Sequence, residues 1–297
     1  MKTLLSRVLT SLRHARGGGL TRHAWIPAFA GMTLISLTAH AAEPARRAIS
    51  LTPHITELIF AAGAGQYVVG TVASSDFPPA AAGIPRVGDG IELSAEKILA
   101  LQPDLILAWR RGGAIAAMSP QLQRLGITLT TSDPKALADI PEELRRMGRL
   151  FGTQATAEPA ADALQARVQA LQARYAHKRT VRVFLEVGTN PLYTIGTDAL
   201  LNDVLRLCGG VNVFGDSAMA APQISAESVL VQQPGAVVTA DTPPQRLTAR
   251  RAYWSGLRLD AALRGHVYGI DPDRLYRPGP RLVDAAEQLC KDLDSAR

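Results

Sequence analysis

Two cysteines in 297 residues, an aromatic content of 5%, and no acidic side chain before Glu43 are the chief shortages of this chain. So few cysteines, with no spaced Cys/His cluster, exclude a zinc framework. No Gly-x-Gly-x-x-Gly turn, no Gly-x-x-x-x-Gly-Lys and no Gly-x-Ser-x-Gly elbow occur, so the usual nucleotide-binding and hydrolase signatures are missing and catalysis is not expected. No apolar run reaches membrane-spanning length. The longest, "AWIPAFAGMTLISLTA", is about 16 residues and is interrupted by Pro27 and Gly31.

The missing acids at the front also explain the charge. Lys2, Arg7, Arg13, Arg16 and Arg22 are unopposed there; without them 27 basic residues face 26 acidic ones. The formal +6 therefore belongs to the leader, and a nucleic-acid partner is excluded. Residues 1–41 resemble a secretory signal: a basic start, that apolar run, then Ala39-His40-Ala41 as a small-x-small cleavage site. A membrane anchor is the competing reading. The basic portion is long for a signal, which leaves Met32 open as the start.

A lipid-anchored export protein carries a cysteine at the cleavage point, and none stands there, so release in soluble form is expected. Cys208 in "VLRLCGG" and Cys290 in "AAEQLCKDL" both lie in helical contexts. In an oxidising compartment they are expected to pair, closing a loop of about 80 residues, the alternative being two buried thiols.

Past Arg46 short apolar runs alternate with amphipathic ones. "RAISL" reads as a strand and "TPHITELIFAAGAG" as a helix with Thr52 at its N-cap, Pro53 in its first turn and Gly63 ending it. "YVVGTVA", "DLILAW" and "ITLTT" read as strands, with "SAEKILALQ", "SPQLQRLG" and "ALADIPEELRRMGRLFG" as helices. The second half repeats this, with strands "TVRVFLEVG", "VNVF", "AVVTA" and "HVYGI". Such alternation predicts an α/β fold of two βα lobes with central parallel sheets. Between them Leu164, Val168, Leu171 and Tyr175 keep helical spacing, with Pro159 expected in the first turn. A helix of about 20 residues, roughly 30 Å long, makes a stiff strut rather than a hinge. The expected division is a signal at 1–41, an N-terminal lobe at 46–152, a linking helix at 153–179 and a C-terminal lobe at 180–297.

One pattern is written twice. "LSAEKILALQPDLILA" and "ISAESVLVQQPGAVVTA" share Ser-Ala-Glu, an amphipathic run, Gln-Pro and an apolar strand. Ser94 and Ser225 are natural N-caps, placing Glu96 and Glu227 in first helical turns, where acids also favour the helix dipole.

"ISLTPHITELIFAAGAG", "VASSDFPPAA", "IPRVGD", "EKILALQPDLILAW", "LRLCGGVNVFGD", "PQISAESVL" and "RPGPRL" together resemble the periplasmic substrate-binding proteins of ABC importers for cobalamin and iron complexes, above all the cobalamin-binding branch. The resemblance runs from about Arg47 to Leu293 and includes both cysteines. It implies two βα lobes bridged by a backbone helix, a monomer in the periplasm without a cofactor, and cobalamin or another corrinoid as cargo. It implies too that Glu96 and Glu227 meet arginines of an ABC permease dimer that carries its ATPase subunits.

The resemblance also assigns cleft roles to Trp109, Tyr193, Asp273 and Arg277, and leaves Trp254 as packing. His54 stands just after the first strand, where contact with a metal complex competes with a polar cleft or capping role. The chain departs from the best-known cobalamin pattern at Ser74, Gly90 and Ala221, where that pattern has aromatics; Phe77 is expected to substitute in part for Ser74. A haem or ferric-siderophore binder of the same family is the alternative, with Tyr276, Tyr193 and His54 as candidate iron ligands.

Overall fold

The computed structural model describes residues 43–297. The proposed leader lies outside the described residues. Strands β1 (Ala48–Ser50), β2 (Val68–Val72), β3 (Arg86–Gly88), β4 (Leu105–Ala108) and β5 (Thr128–Thr131) form one sheet in the order β3-β2-β1-β4-β5, every pair parallel. Helices α1 (Pro53–Ala61), α2 (Ala95–Ala100) and α3 (Gly113–Arg124) connect them. Two longer helices follow, α4 (Asp139–Phe151) and α5 (Gln154–Tyr175).

The second sheet is built on β6 (Val181–Thr189), flanked by β9 (Ala236–Thr239) and then β10 (Val267–Gly269). Its other edge is shared. The first residues of β6 pair in parallel with β8 (Gly210–Asn212), the last pair antiparallel with β7 (Leu192–Thr194). Helices α6 (Ala199–Leu207), α7 (Ala226–Gln232), α8 (Pro244–Gly256), α9 (Asp260–Leu263), α10 (Pro272–Leu275) and α11 (Arg281–Ser295) complete the chain.

Strands β1, β4 and β9 are buried at every position, as expected of parallel strands covered on both faces. Their two-residue period divides the cores. Ile49 and Ile106 pack with Val72, Ile98 and Leu122, whereas Ala48, Leu105 and Leu107 point into a core shared with α5 and the second sheet. On the far side Phe184, Val237 and Val267 close around the fully buried Trp254. Its indole N–H donates to Glu186 at 3.0 Å, and Arg250 pairs with the same carboxylate, so the packing role expected for Trp254 holds.

Helix α5 buries Leu164, Val168, Leu171 and Tyr175, as their spacing requires. It is tied on one side to α4, where Arg145 reaches Glu158 and Asp162, and on the other to α11, where Arg167 reaches Asp284 and Glu287. At Gly148 an added Cβ would lie 2.5 Å from that of Ala157, so the close approach of α4 and α5 there requires glycine.

Local geometry departs from the sequence reading in three places. "TNPLYTIG" is an antiparallel hairpin strand, so the second sheet is mixed and is no copy of the first. Helix α3 begins at Gly113, six residues before Ser119, with Pro120 inside it. Helix α5 begins at Gln154, which moves Pro159 into the second turn and leaves the Ala155 carbonyl without its usual donor.

The two cysteines are bonded, Cα to Cα 4.6 Å, joining the end of α6 to the middle of α11. The repeated text has repeated geometry. Ser94 accepts from the Lys97 N–H at 3.2 Å and Ser225 from the Ser228 N–H at 3.1 Å. Both following glutamines are left-handed, Gln102 at φ +47° and Gln233 at φ +44°, and each Gln-Pro leads into the strand beside its sheet's first strand.

Candidate functional site

Parallel strands offer their carboxyl ends to ligands, because the connecting loops gather there. Trp109 follows β4 directly, Asp133 follows β5 and Asp76 lies beyond β2; β7 and Asp198, the N-cap of α6, face them from the second sheet. A cavity of about 250 Å³ lies between, lined by Trp109, Arg110, Asp133 and Pro134 on one side and by Ile195, Asp198, Leu200, Leu275 and Tyr276 on the other. A second cavity of about 250 Å³ opens on the other flank of Trp109, against Leu51, Ile91, Leu93 and Ile115. A larger concavity, about 950 Å³, runs beside β8, but its lining is polar and has no aromatic side chain. Lys135, Lys178 and Arg206 on its lining are each paired with an aspartate and Arg182 bonds Gln232; with no aromatic wall it is the poorer site for a partly apolar ligand.

Trp109 is 40% exposed and held from three sides. Its indole N–H donates to Asp133 Oδ1 at 2.8 Å, the Arg110 guanidinium lies 4.8 Å over its ring, and His54 meets it edge-on at 5.7 Å. Asp133 also accepts from Arg110 at 2.8 Å and from Lys135 at 2.5 Å. Partial burial pushes its carboxyl upward, but the bonds from Arg110, Lys135 and Trp109 outweigh this and bring it to about 2.

His54 is not on the cleft surface, where sequence reasoning set it. Only 2% exposed, it is packed beneath Trp109, with Nε2 at 3.3 Å from the Ser132 carbonyl. Burial pushes its pKa down to about 4, against opposing pulls from the Ser132 bond, Glu143 and Asp133. The ring is therefore neutral at pH 7 and donates from Nε2.

Arg277 and Arg281 form a second group, which joins the end of the chain to the first sheet's helices and loops. Arg277 donates to Asp76 at 2.6 Å and to Asp273 at 2.7 Å, with Glu57 of α1 at 3.6 Å. Arg281 binds Glu57 through two bonds, 2.9 and 2.6 Å, and lies 4.1 Å over the half-exposed Phe77 ring. The Arg277 bond is the main reason that the Asp76 carboxyl is held below its usual range. Ser74, two residues away, is exposed. Tyr193 stands on the second sheet, 37% exposed, its hydroxyl 3.5 Å from Gln223.

Of the residues singled out from the sequence, Trp109, Phe77, Asp273 and Arg277 stand in these two groups and Tyr193 on the second sheet; Asp133, Arg110, Glu57, Asp76 and Arg281, which hold them in place, were not singled out. Arg281 stood in the quoted "RPGPRL"; Asp133 in "TTSDP" carried no local signal. Glu96 and Glu227 are exposed in the first turns of α2 and α7, and neither makes an ion pair among the described residues.

Comparison with known proteins places this arrangement. The Periplasmic binding protein family profile matches residues 49–274. The vitamin B12-binding protein of Yersinia pestis is 37% identical over 270 residues, 91% of this chain and 94% of that protein. The crystal structure of periplasmic vitamin B12 binding protein BtuF of Vibrio cholerae superposes with a TM-score of 0.78 at 36% identity, covering 85% of this chain and 98% of that one. The periplasmic heme-binding protein RhuT from Roseiflexus superposes at 0.71 with 26% identity, covering 85% and 99%. The parallel sheets, the bridging helix and this profile match give one conclusion: the chain belongs to the periplasmic binding protein family.

Proposed function

We propose that this protein captures cobalamin or a related corrinoid between its two halves and delivers it to an ABC permease. Residues 46–152 and 180–297 act as the two lobes, and the 153–179 helix is the strut that limits them to small rotations. The observation that carries the reading is Trp109, held half-exposed between two cavities at the sheet ends, in a chain 36–37% identical to vitamin B12-binding proteins. A few orienting polar groups around apolar walls suit a large ligand that is partly apolar.

Trp109, Phe77, Tyr193, Asp273 and Arg277 contact the cargo, with Ser74 at the rim, and His54 supports Trp109 from below. Glu96 and Glu227, one on each half, engage arginines of the permease, since carboxylate–arginine pairs set orientation as well as affinity. The corrinoid is cargo rather than cofactor, and it is released unchanged. The leader is cleaved after Ala41, and the mature chain works as a periplasmic monomer.

The RhuT likeness favours haem as the second reading. Against it, His54 lies buried under Trp109, so one of the three candidate iron ligands is withdrawn. Titration of the purified protein with cyanocobalamin, haemin and a ferric hydroxamate, followed by tryptophan emission and visible spectra, separates the readings. Saturable binding of cyanocobalamin alone is expected; preference for haemin replaces the first reading with the second.

A further inference from the structure

Most large apolar side chains among the described residues are buried, and single exposed ones are ordinary. Ile91 and Met219 are different because their backbones are built to hold them out. Ile91 is 85% exposed and Met219 56% exposed. Asp89 Oδ1 accepts from the N–H groups of Ile91 at 2.8 Å and Glu92 at 2.7 Å, which closes the loop on which Ile91 stands. That loop passes so near β3 that a Cβ on Gly88 would lie 2.0 Å from the Glu92 carbonyl oxygen.

The second half uses the same device. Ser217 Oγ accepts from the Met219 N–H at 3.3 Å, and Gly196 and Thr197 donate to the carbonyls of Ala220 and Met219. A Cβ on Gly196 would lie 2.0 Å from the Met219 carbonyl oxygen. Ile91 lines one of the two cavities at Trp109; the backbone that buttresses Met219 carries Ile195 and Asp198, which line the other. Ile91, an apolar side chain fixed in water at a cavity already walled by an indole, is placed for a ligand, and Met219 stands on a loop buttressed by the segment that lines the other cavity.

We propose that Ile91 and Met219 are specificity-determining contacts, one from each half, that press on the apolar periphery of a broad metal macrocycle seated at Trp109. This rests on the function proposed above and extends it to residues outside the aromatic set. Ile91 supplies a stiff branched surface, whereas Met219, unbranched and polarizable, adapts to the ring it meets.

The test titrates the full chain and its Ile91→Ser, Met219→Ser and double variants with cyanocobalamin and with haemin. Both residues are exposed, so the variants should melt with the wild type. Each single change should weaken cyanocobalamin binding roughly tenfold, and the double change more. A double variant within twofold of wild type overturns the inference. So do variants that bind cyanocobalamin normally but fail to stimulate a reconstituted permease, which would make these residues transporter contacts. If the wild type binds haemin alone and the variants lose it, the corrinoid reading fails and this inference stands. A wild type that binds neither probe overturns both.

Discussion

The Trp109 indole donates its N–H to Asp133 Oδ1 at 2.8 Å across the ends of two neighbouring strands, and Arg110 covers the same ring while binding the other oxygen of that carboxylate. Indole, guanidinium and carboxylate thus fix one another. On the function proposed above, Asp133 would be a positioning residue, acting through the angle at which Trp109 meets the cavity. Asp133→Ala should weaken cyanocobalamin binding about five- to tenfold and red-shift tryptophan emission, with a stability loss under about 1 kcal/mol because its ion pairs are solvent-facing. Asp133→Asn, which keeps an acceptor, should restore most of the emission and the affinity.

His54 makes stability fall in acid. Its folded pKa of about 4 lies below the ordinary 6.5, so the unfolded chain takes up the proton first. The stabilisation is complete above pH 6.5 and is lost as pH falls from there toward 4, by about 2–3 kcal/mol. Urea unfolding at pH 7 and pH 4.5 should show this loss, and His54→Gln should reduce it. Equal pH dependence in the variant would refute the assignment.

Glu57 is 3% exposed and faces two arginines. Glu57→Ala leaves both without their buried partner and should cost about 3 kcal/mol in urea unfolding. Arg281→Ala should cost less, because Arg277 remains 3.6 Å from the carboxylate. Substituting both residues should cost less than the sum of the single changes.

The Cys208–Cys290 bond closes a loop across 82 positions. Replacing both with Ala should destabilise the chain by about 4 kcal/mol on the chain-entropy account, lowering Tm by roughly 10 °C. Differential scanning calorimetry of oxidised, reduced and double-Ala protein measures it. Cyanocobalamin affinity at 20 °C should hardly change, since the bond joins the far end of α6 from Leu200 to the middle of α11, and neither cysteine lines the Trp109 cavities.

Glu96→Ala with Glu227→Ala should abolish stimulation of the permease ATPase and cellular uptake while leaving cyanocobalamin affinity within twofold. Both side chains are exposed first-turn residues, so each substitution should cost the fold no more than about 1 kcal/mol of dipole interaction. An affinity loss beyond that margin would put the carboxylates in the cleft instead.

The two βα halves, the strut helix and the twin Ser-Ala-Glu caps were legible in the sequence, because each is set by residues within a few positions of one another. Apolar spacing of two or near 3.6, a serine before a helix and a Gln-Pro after it act locally, and the same text produced the same left-handed glutamine in both halves. The hairpin at Leu192 was not legible, since its pairing depends on the far end of β6 having a free edge. Only the tertiary structure decided the cleft. Asp133 reaches Trp109 over 24 positions and Arg281 reaches Glu57 over 224, so no local pattern joins them. His54 shows the limit most plainly: its place after β1 was readable, but whether it faced water or the underside of an indole depended on β5 and Ser132, which chain topology alone brings beside it.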